Sequence, residues 1–185
     1  MAYRNGTYVA FNGMGTTDPT KGDMKYYGLL QKWGKEKSID FQFSDSHKKT
    51  YAVRDSSLET TLKTRLRERM SNSKNMLLII TENSSINRGL LNWEVEQAVD
   101  HYNIPLIVAY TGYNSLLYPS SHIDLWPMAL EERINSSTVR AIHIPFKKVA
   151  IGTAISQFNV NGELPKGSLS FYTKEAQVKW GLISQ

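Results

Sequence analysis

The clearest candidates for catalytic residues in this sequence are two glutamates in the stretch Asn92-Trp93-Glu94-Val95-Glu96. On a helix, at about 100° per residue, one apolar face of the run 90–102 collects Leu91, Val95, Ala98, Val99 and Tyr102. Glu94 lies at the edge of that face, whereas Glu96 points away from it. A carboxylate at such an edge either pairs with a neighbouring Lys or Arg or serves a site. The helix pattern by itself favours the pairing, because structural carboxylates greatly outnumber catalytic ones.

Composition indicates one ordinary globular domain. The chain has 185 residues, of which 41% are hydrophobic and 21% charged, enough to bury a substantial core. No apolar run approaches the 18 or so residues that span a membrane, and the amino terminus lacks the apolar segment of a secretory signal. The absence of cysteine excludes disulfides and thiolate zinc sites. We therefore expect a cytoplasmic protein without a membrane partner.

The formal charge of +5 raises the question of nucleic-acid binding. The basic residues concentrate in 32–37, in 63–69 and at Lys147-Lys148, and each group is interleaved with acidic or apolar residues. This distribution is typical of solvated helix faces, so no nucleic-acid partner is expected.

Apolar patterning predicts five strands that alternate with helices. The strands are predicted at 8–11, 39–44, 76–80, 104–110 and 139–144, and the helices at 23–34, 56–72, 90–102, 125–134 and 146–158. The continuous apolar run 76–80 is typical of a central strand covered on both faces, whereas 39–44 alternates and suits an edge. This order predicts an α/β, flavodoxin-like three-layer fold with a five-stranded parallel sheet.

In such a sheet, ligands bind at the carboxyl ends of the strands. The loops that should converge there contain Phe11, Asn12, Gly13, Asp45, Ser46, His47 and Asn83. The amino-terminal half of the helix that carries Glu94 begins on the same rim. Topology therefore makes Glu94 a candidate site residue, with the structural pairing still open.

The end of the chain is predicted to be an appendage. We place the domain at 1–158 and a carboxy-terminal hairpin and helix at 159–185. Asn161-Gly162 favours a two-residue hairpin turn, and 174–180 has helical character. Nothing in this segment is typical of a catalytic site.

Several segments together resemble a known family. These are strand 8–11, the loop 45–50, and the runs 52–57, 72–79 and 92–100, in this order over about 8–158. The chain resembles the bacterial TIR-like domains, most of all the TIR subunits of Thoeris anti-phage defence systems. Family members commonly carry a tryptophan four residues before their essential glutamate; here Leu90 holds that position and Trp93 directly precedes Glu94.

The resemblance implies an enzyme that cleaves the nicotinamide–ribose bond of NAD, with Glu94 as the catalytic residue. NAD would be a substrate, with no cofactor. The product would be a cyclic ADP-ribose-type signal that activates a separate effector protein, and the TIR-like chain would act as a homo-oligomer. One carboxylate suits this reaction, because the leaving nicotinamide is already cationic and needs no general acid, unlike ordinary glycoside hydrolysis. A negative charge beside the ribose stabilises the oxocarbenium-like centre best where water is partly excluded.

Each of the other candidates has a structural alternative. Phe11 packs either on a ring of the ligand or in the core, and core packing is favoured. Backbone donors at Asn12-Gly13 approach phosphate or ribose, or the glycine serves only the turn. His47 donates to the ligand or is merely solvated. Trp93 lies under another loop or anchors an assembly at an interface, or it is a partly covered surface aromatic. The remaining histidines show no metal spacing, so no metal site is expected.

Two other functions remain open. The chain could be a non-catalytic TIR-type module that only assembles with a partner, or an enzyme similar to the nucleoside deoxyribosyltransferases, which also use a glutamate on a rim.

Overall fold

The fold is described by a computed structural model that covers residues 4–13, 23–35, 56–86 and 90–184, with the backbone alone for 56–58. The helices are α1 (Met24–Lys35), α2 (Ser56–Asn72), α3 (Leu91–Glu96), α4 (Met128–Asn135), α5 (Lys148–Gln157) and α6 (Lys174–Lys179). The strands are β1 (Thr7–Ala10), β2 (Asn75–Ile80), β3 (Leu106–Tyr110), β4 (Ala141–Pro145) and β5 (Ser170–Phe171). One π-helical turn, Gln97–His101, continues α3, and a 3-10 segment, Pro119–Leu125, precedes α4.

The described strands form one parallel sheet in the order β1-β2-β3-β4-β5. Every residue of β1 to β4 is buried, because helices cover both faces of these strands. Alternate side chains divide between two cores: Tyr8, Leu78 and Val108 face α2, α3 and α4. Val9, Leu77 and Ile107 face α1 and α5. The predicted α/β, flavodoxin-like architecture with a five-stranded parallel sheet is confirmed.

The helix that carries Glu94 has the predicted phase. Leu91, Val95, Ala98 and Val99 are all buried, and α3 with its π turn spans nearly the whole predicted run 90–102. The other predicted strands and helices agree to within about three residues at their ends, except the 39–44 strand, which lies outside the described residues. The helix predicted at 125–134 begins later, because Pro127 is extended and its carbonyl caps the first turn of α4.

The carboxy-terminal tail corrects one prediction. A turn forms at residues 159–162, where Gly162 N donates to Asn159 O at 3.1 Å. No antiparallel hairpin follows, because α5 runs to Gln157 and leaves no strand on the near side of the turn. Instead β5 pairs in parallel with β4 and supplies the fifth described strand. The predicted helix at the end of the tail is confirmed as α6.

The tail is joined to the loop that follows β3 by one buried side chain. Gln177, 1% exposed, accepts from Leu116 N at 2.9 Å and donates to Leu116 O at 2.7 Å. A side-chain amide that satisfies both polar groups of one buried residue substitutes for a strand partner.

Among the described helices, none combines the length and apolar character needed to cross a bilayer.

Candidate functional site

Glu94 is more deeply buried than the sequence predicted when it placed this residue at the edge of the apolar helix face. It lies in the first turn of α3, and 5% of its surface is exposed. Its Oε1 accepts a hydrogen bond of 2.5 Å from the hydroxyl of Tyr8, which projects from β1 toward the same core. The sequence prediction underestimated this burial because the covering side chain comes from a strand 86 residues earlier in the chain.

Burial controls the charge of Glu94. Desolvation raises the pKa of its carboxyl from 4.5 to about 8, and the hydrogen bond from Tyr8 opposes that rise. The structural alternative, a Lys or Arg partner, is not found for Glu94 among the ion pairs of the described residues. Burial therefore favours the protonated form of the Glu94 carboxyl. A positive charge brought next to it would favour the ionised form.

Arg69 of α2 and Trp93 of α3 lie where these two helices meet near Glu94. Arg69 carries a buried Nη1 for which no hydrogen-bond partner is found in the described part of the chain, and its positive charge acts on Tyr8. Trp93 is half-buried, with Lys63 Nζ at 5.5 Å and Arg67 Cζ at 5.3 Å from its ring centroid. Trp93 thus lies beside cationic side chains of the helix α2 and, within the described residues, not under a loop as predicted.

The predicted rim residues at the end of β1 contact the loop after β2. Asn12, 2% exposed, donates from Nδ2 to Asn83 O at 2.7 Å and to Ile86 O at 3.3 Å. The structure thus brings two predicted site residues together, although the contact is to the backbone of Asn83. Phe11 is 4% exposed and stacks on Tyr27 with ring centroids 5.6 Å apart, so it belongs to the core. The predicted ligand contact of Phe11 therefore has no support here.

Gly13 does not require the conformational freedom of glycine. Its φ lies outside the left-handed region, and a Cβ added there would have no described atom within 4 Å. The turn explanation therefore does not account for Gly13. Asp45, Ser46 and His47 lie outside the described residues.

The rim also contains a cavity of about 630 Å³ at the carboxyl ends of β2 and β3. Its described lining consists of Asp23, Lys25, Tyr26, Thr81, Glu82, Asn83, Thr111, Gly112, Tyr113 and Leu125. Asn83 is the one predicted site residue in this set, and Glu94 is not part of it. The rule that ligand sites of parallel sheets lie at the carboxyl ends of the strands correctly located the cavity.

The polar centre of this cavity was not predicted from the sequence. Thr81 Oγ1 donates to Asp23 Oδ2 at 2.8 Å, and these side chains are 4% and 2% exposed. Thr81 is held in turn by Ser84, whose Oγ accepts from Thr81 N at 2.8 Å. Burial raises the pKa of Asp23, and the hydrogen bond from Thr81 lowers it. The available signals were an Asp directly before a helix and a Thr directly after a central strand.

His143 forms a second buried polar network, on β4. Its Nε2 lies 2.9 Å from the carbonyl of Ser168, which can only accept, so Nε2 carries the proton. Nδ1 then accepts from the Tyr110 hydroxyl at 2.8 Å, and the Tyr110 oxygen accepts from Trp126 Nε1 at 2.7 Å. Burial lowers the pKa of His143 to about 4. This histidine is a satisfied core residue that joins β3, β4 and the tail.

No group of three or more potential metal ligands occurs within the described ranges. The prediction that the protein uses no metal remains a prediction.

The part of the chain that forms β1, β2, β3 and the helix with the buried glutamate was compared with known protein families. The sequence profile of the family described as Thoeris protein ThsB, TIR-like domain, matches residues 8–115. The match covers more than half of the chain and runs from Tyr8 through Asp23, Thr81 and Glu94 to the loop after β3.

The chain belongs to this ThsB family of TIR-like domains.

The family match confirms the resemblance found in the sequence and explains the α/β fold with its parallel sheet. The matched TIR-like region contains Glu94 and Asp23, the two carboxyl groups that are buried among the described residues. Residues 116–185 lie beyond the matched segment. They complete the sheet with β4 and β5 and carry the His143 network.

Proposed function

We propose that this TIR-like domain cleaves the nicotinamide–ribose bond of NAD and that Glu94 is its catalytic residue. The observation that carries this proposal is a buried glutamate, 5% exposed, in the helix after β2 and within the family match, for which the described residues provide no cationic partner. A desolvated carboxylate lacking a counter-charge gains most from a cation. The nicotinamide ring and the ribosyl centre that forms when it leaves supply that positive charge.

The reaction is balanced with one carboxylate. The bond between C1′ of the ribose and the nicotinamide nitrogen breaks, and its electron pair neutralises the pyridinium ring. The cationic C1′ is then captured by water, which releases one proton to the solvent and gives ADP-ribose, or by a nitrogen of the adenine, which gives a cyclic ADP-ribose-type product. Ionised Glu94 stabilises C1′ as its positive charge grows, and the low polarity around the side chain strengthens that interaction.

The biological setting that we propose follows from the Thoeris family. The cyclic product would act as a signal for a separate effector protein in anti-phage defence, and the chain would work as a homo-oligomer in the cytoplasm. Trp93 is covered by Lys63 and Arg67, which weakens the competing idea that this side chain anchors a purely non-catalytic assembly. None of the described contacts favours a deoxyribosyltransferase.

The test compares the wild-type chain with Glu94→Gln and Glu96→Gln. The purified proteins are incubated with NAD, alone and with extract from phage-infected cells, while nicotinamide release is measured and products are identified by mass spectrometry. We expect Glu94→Gln to lose roughly a hundredfold or more of the activity, in line with loss of an electrostatic catalytic group. Glu96→Gln is the matched control, because it removes a half-exposed carboxylate one residue beyond Val95 and should leave cleavage nearly unchanged. Equal activity of the wild type and Glu94→Gln would refute the assignment.

A further inference from the structure

Asp23 is a buried carboxyl group that the proposed reaction at Glu94 does not use. It lies directly before α1, 2% exposed, and it lines the 630 Å³ cavity at the ends of β2 and β3. Burying a carboxylate is unfavourable unless hydrogen bonds replace the lost water. No ion pair involves Asp23 within the described ranges, although the positive charge of Lys25, which lines the same cavity, lowers the pKa of Asp23.

Within the described part of the chain, the hydrogen bonds of the Asp23 carboxylate leave it able to accept more. A carboxylate has about four acceptor positions, and Thr81 fills one of them through Oδ2. The single proton of the Thr81 hydroxyl is used in this bond, while its oxygen accepts from Asn83 N at 3.2 Å. Thr81 is therefore a fixed support that orients Asp23, and it has no donor left to offer a ligand.

The lining around Asp23 indicates the chemistry of its ligand. A divalent metal needs several oxygen ligands, and no group of three candidate ligands is found in the described part of the chain. The acceptor-only carboxylate calls for hydroxyl or amino donors. Tyr26, Tyr113 and Leu125 add aromatic and apolar surface in the same cavity. Paired hydroxyls next to a flat ring are the combination that a nucleoside presents, and a single Asp or Glu binds ribose hydroxyls in this way in dinucleotide sites.

We propose that Asp23, oriented by Thr81, binds the ribose hydroxyls of the adenosine half of the nucleotide, with the adenine against Tyr113 and Leu125. This inference rests on the proposed function, since it names the part of NAD that this cavity holds. Asp23 is then a binding residue, separate from the catalytic Glu94. The cavity retains the end of the nucleotide that contains the adenine needed for cyclisation.

The experiment measures binding in the Glu94→Gln background, so that cleavage does not consume the ligand. The probes are ADP-ribose and its analogue with no hydroxyls at the 2′ and 3′ positions of the adenosine ribose, followed by calorimetry. We expect the analogue to bind roughly tenfold to a hundredfold more weakly, since a hydrogen bond to a charged group contributes about 1.5–3 kcal/mol. Adding Asp23→Asn should bring the two affinities close together by weakening ADP-ribose binding.

Asp124→Asn is the matched control, because Asp124 is exposed and is not among the lining residues. It should preserve the difference between the two probes. Asp23→Asn keeps an oxygen that can accept from Thr81, and its thermal unfolding verifies that the fold is intact. The proposal is overturned if ADP-ribose does not bind, if both probes bind equally well to the parent, or if Asp23→Asn preserves the difference.

Failure of this inference is distinguishable from failure of the proposed function. If NAD cleavage is lost in Glu94→Gln but Asp23→Asn leaves probe binding unchanged, the adenosine site alone is overturned. If the difference in affinity between ADP-ribose and its analogue requires Asp23, but the wild type and Glu94→Gln cleave NAD equally well, the catalytic assignment alone is overturned.

Discussion

Replacing Glu94 by Gln should make the protein more stable at alkaline pH. In the folded chain the pKa of Glu94 is raised from 4.5 to about 8 by burial. Between these values the unfolded state releases the proton while the folded state retains it, so folding stability falls as the pH rises from about 4.5 to about 8. At about 1.36 kcal/mol per pKa unit, the loss amounts to about 5 kcal/mol above that range.

The amide of Glu94→Gln cannot ionise, and its oxygen can still accept the hydrogen bond from Tyr8. The variant and the wild type should therefore have similar unfolding free energies at about pH 5 and differ by up to about 5 kcal/mol at about pH 9, with the variant more stable. The size of this difference is large against the total stability of a typical domain, about 5–15 kcal/mol. Such a gain on removing the proposed catalytic group is the expected relation between stability and activity at a desolvated site.

Urea unfolding of the wild type, Glu94→Gln and Glu96→Gln at several pH values measures this difference. Glu96→Gln should follow the wild type, because the half-exposed Glu96 remains in contact with water. Parallel pH dependences for the wild type and Glu94→Gln would show that Glu94 is not desolvated in the folded protein, and the electrostatic basis of the proposed catalysis would then fail with it. The measurement needs neither NAD nor an activating signal.

Two further predictions concern buried tyrosines. Tyr8→Phe removes the hydrogen bond that lowers the pKa of Glu94, so the acidic limb of the rate of nicotinamide release should move to higher pH; an unchanged limb would contradict this role. Tyr110→Phe should reduce the free energy of unfolding by about 1–3 kcal/mol for each of the two buried groups left without a partner, one of them on His143. Tyr172→Phe, which loses one partly buried hydrogen bond to Gln157, serves as the control for both variants and should cost only about 0.5–1.5 kcal/mol. An equal loss of stability for Tyr110→Phe and Tyr172→Phe in urea unfolding would contradict the network.

The elements could be predicted from the sequence because their signals are local. The run Met76 to Ile80 is apolar throughout, which is typical of a strand covered on both sides, and β2 spans 75–80. In α3 and the π turn that continues it, apolar residues at helical spacing placed Leu91, Val95 and Ala98 in the core, as found. Strand β5 has no such signal, because two residues are too few to show a period, and the hydrogen-bonding groups at the edge of β4 determine where they pair.

The sequence by itself determined the parallel α/β architecture, the family, and the side of the helix on which Glu94 lies. These depend on hydrophobic periodicity and on motifs whose residues are close together in the chain. Only the tertiary structure decided the surroundings of the two buried carboxyl groups. Tyr8 is 86 residues from Glu94, and Asp23 is 58 residues from Thr81. Desolvation and hydrogen bonding depend on what surrounds a side chain in space, and no local pattern encodes which distant strand supplies that cover.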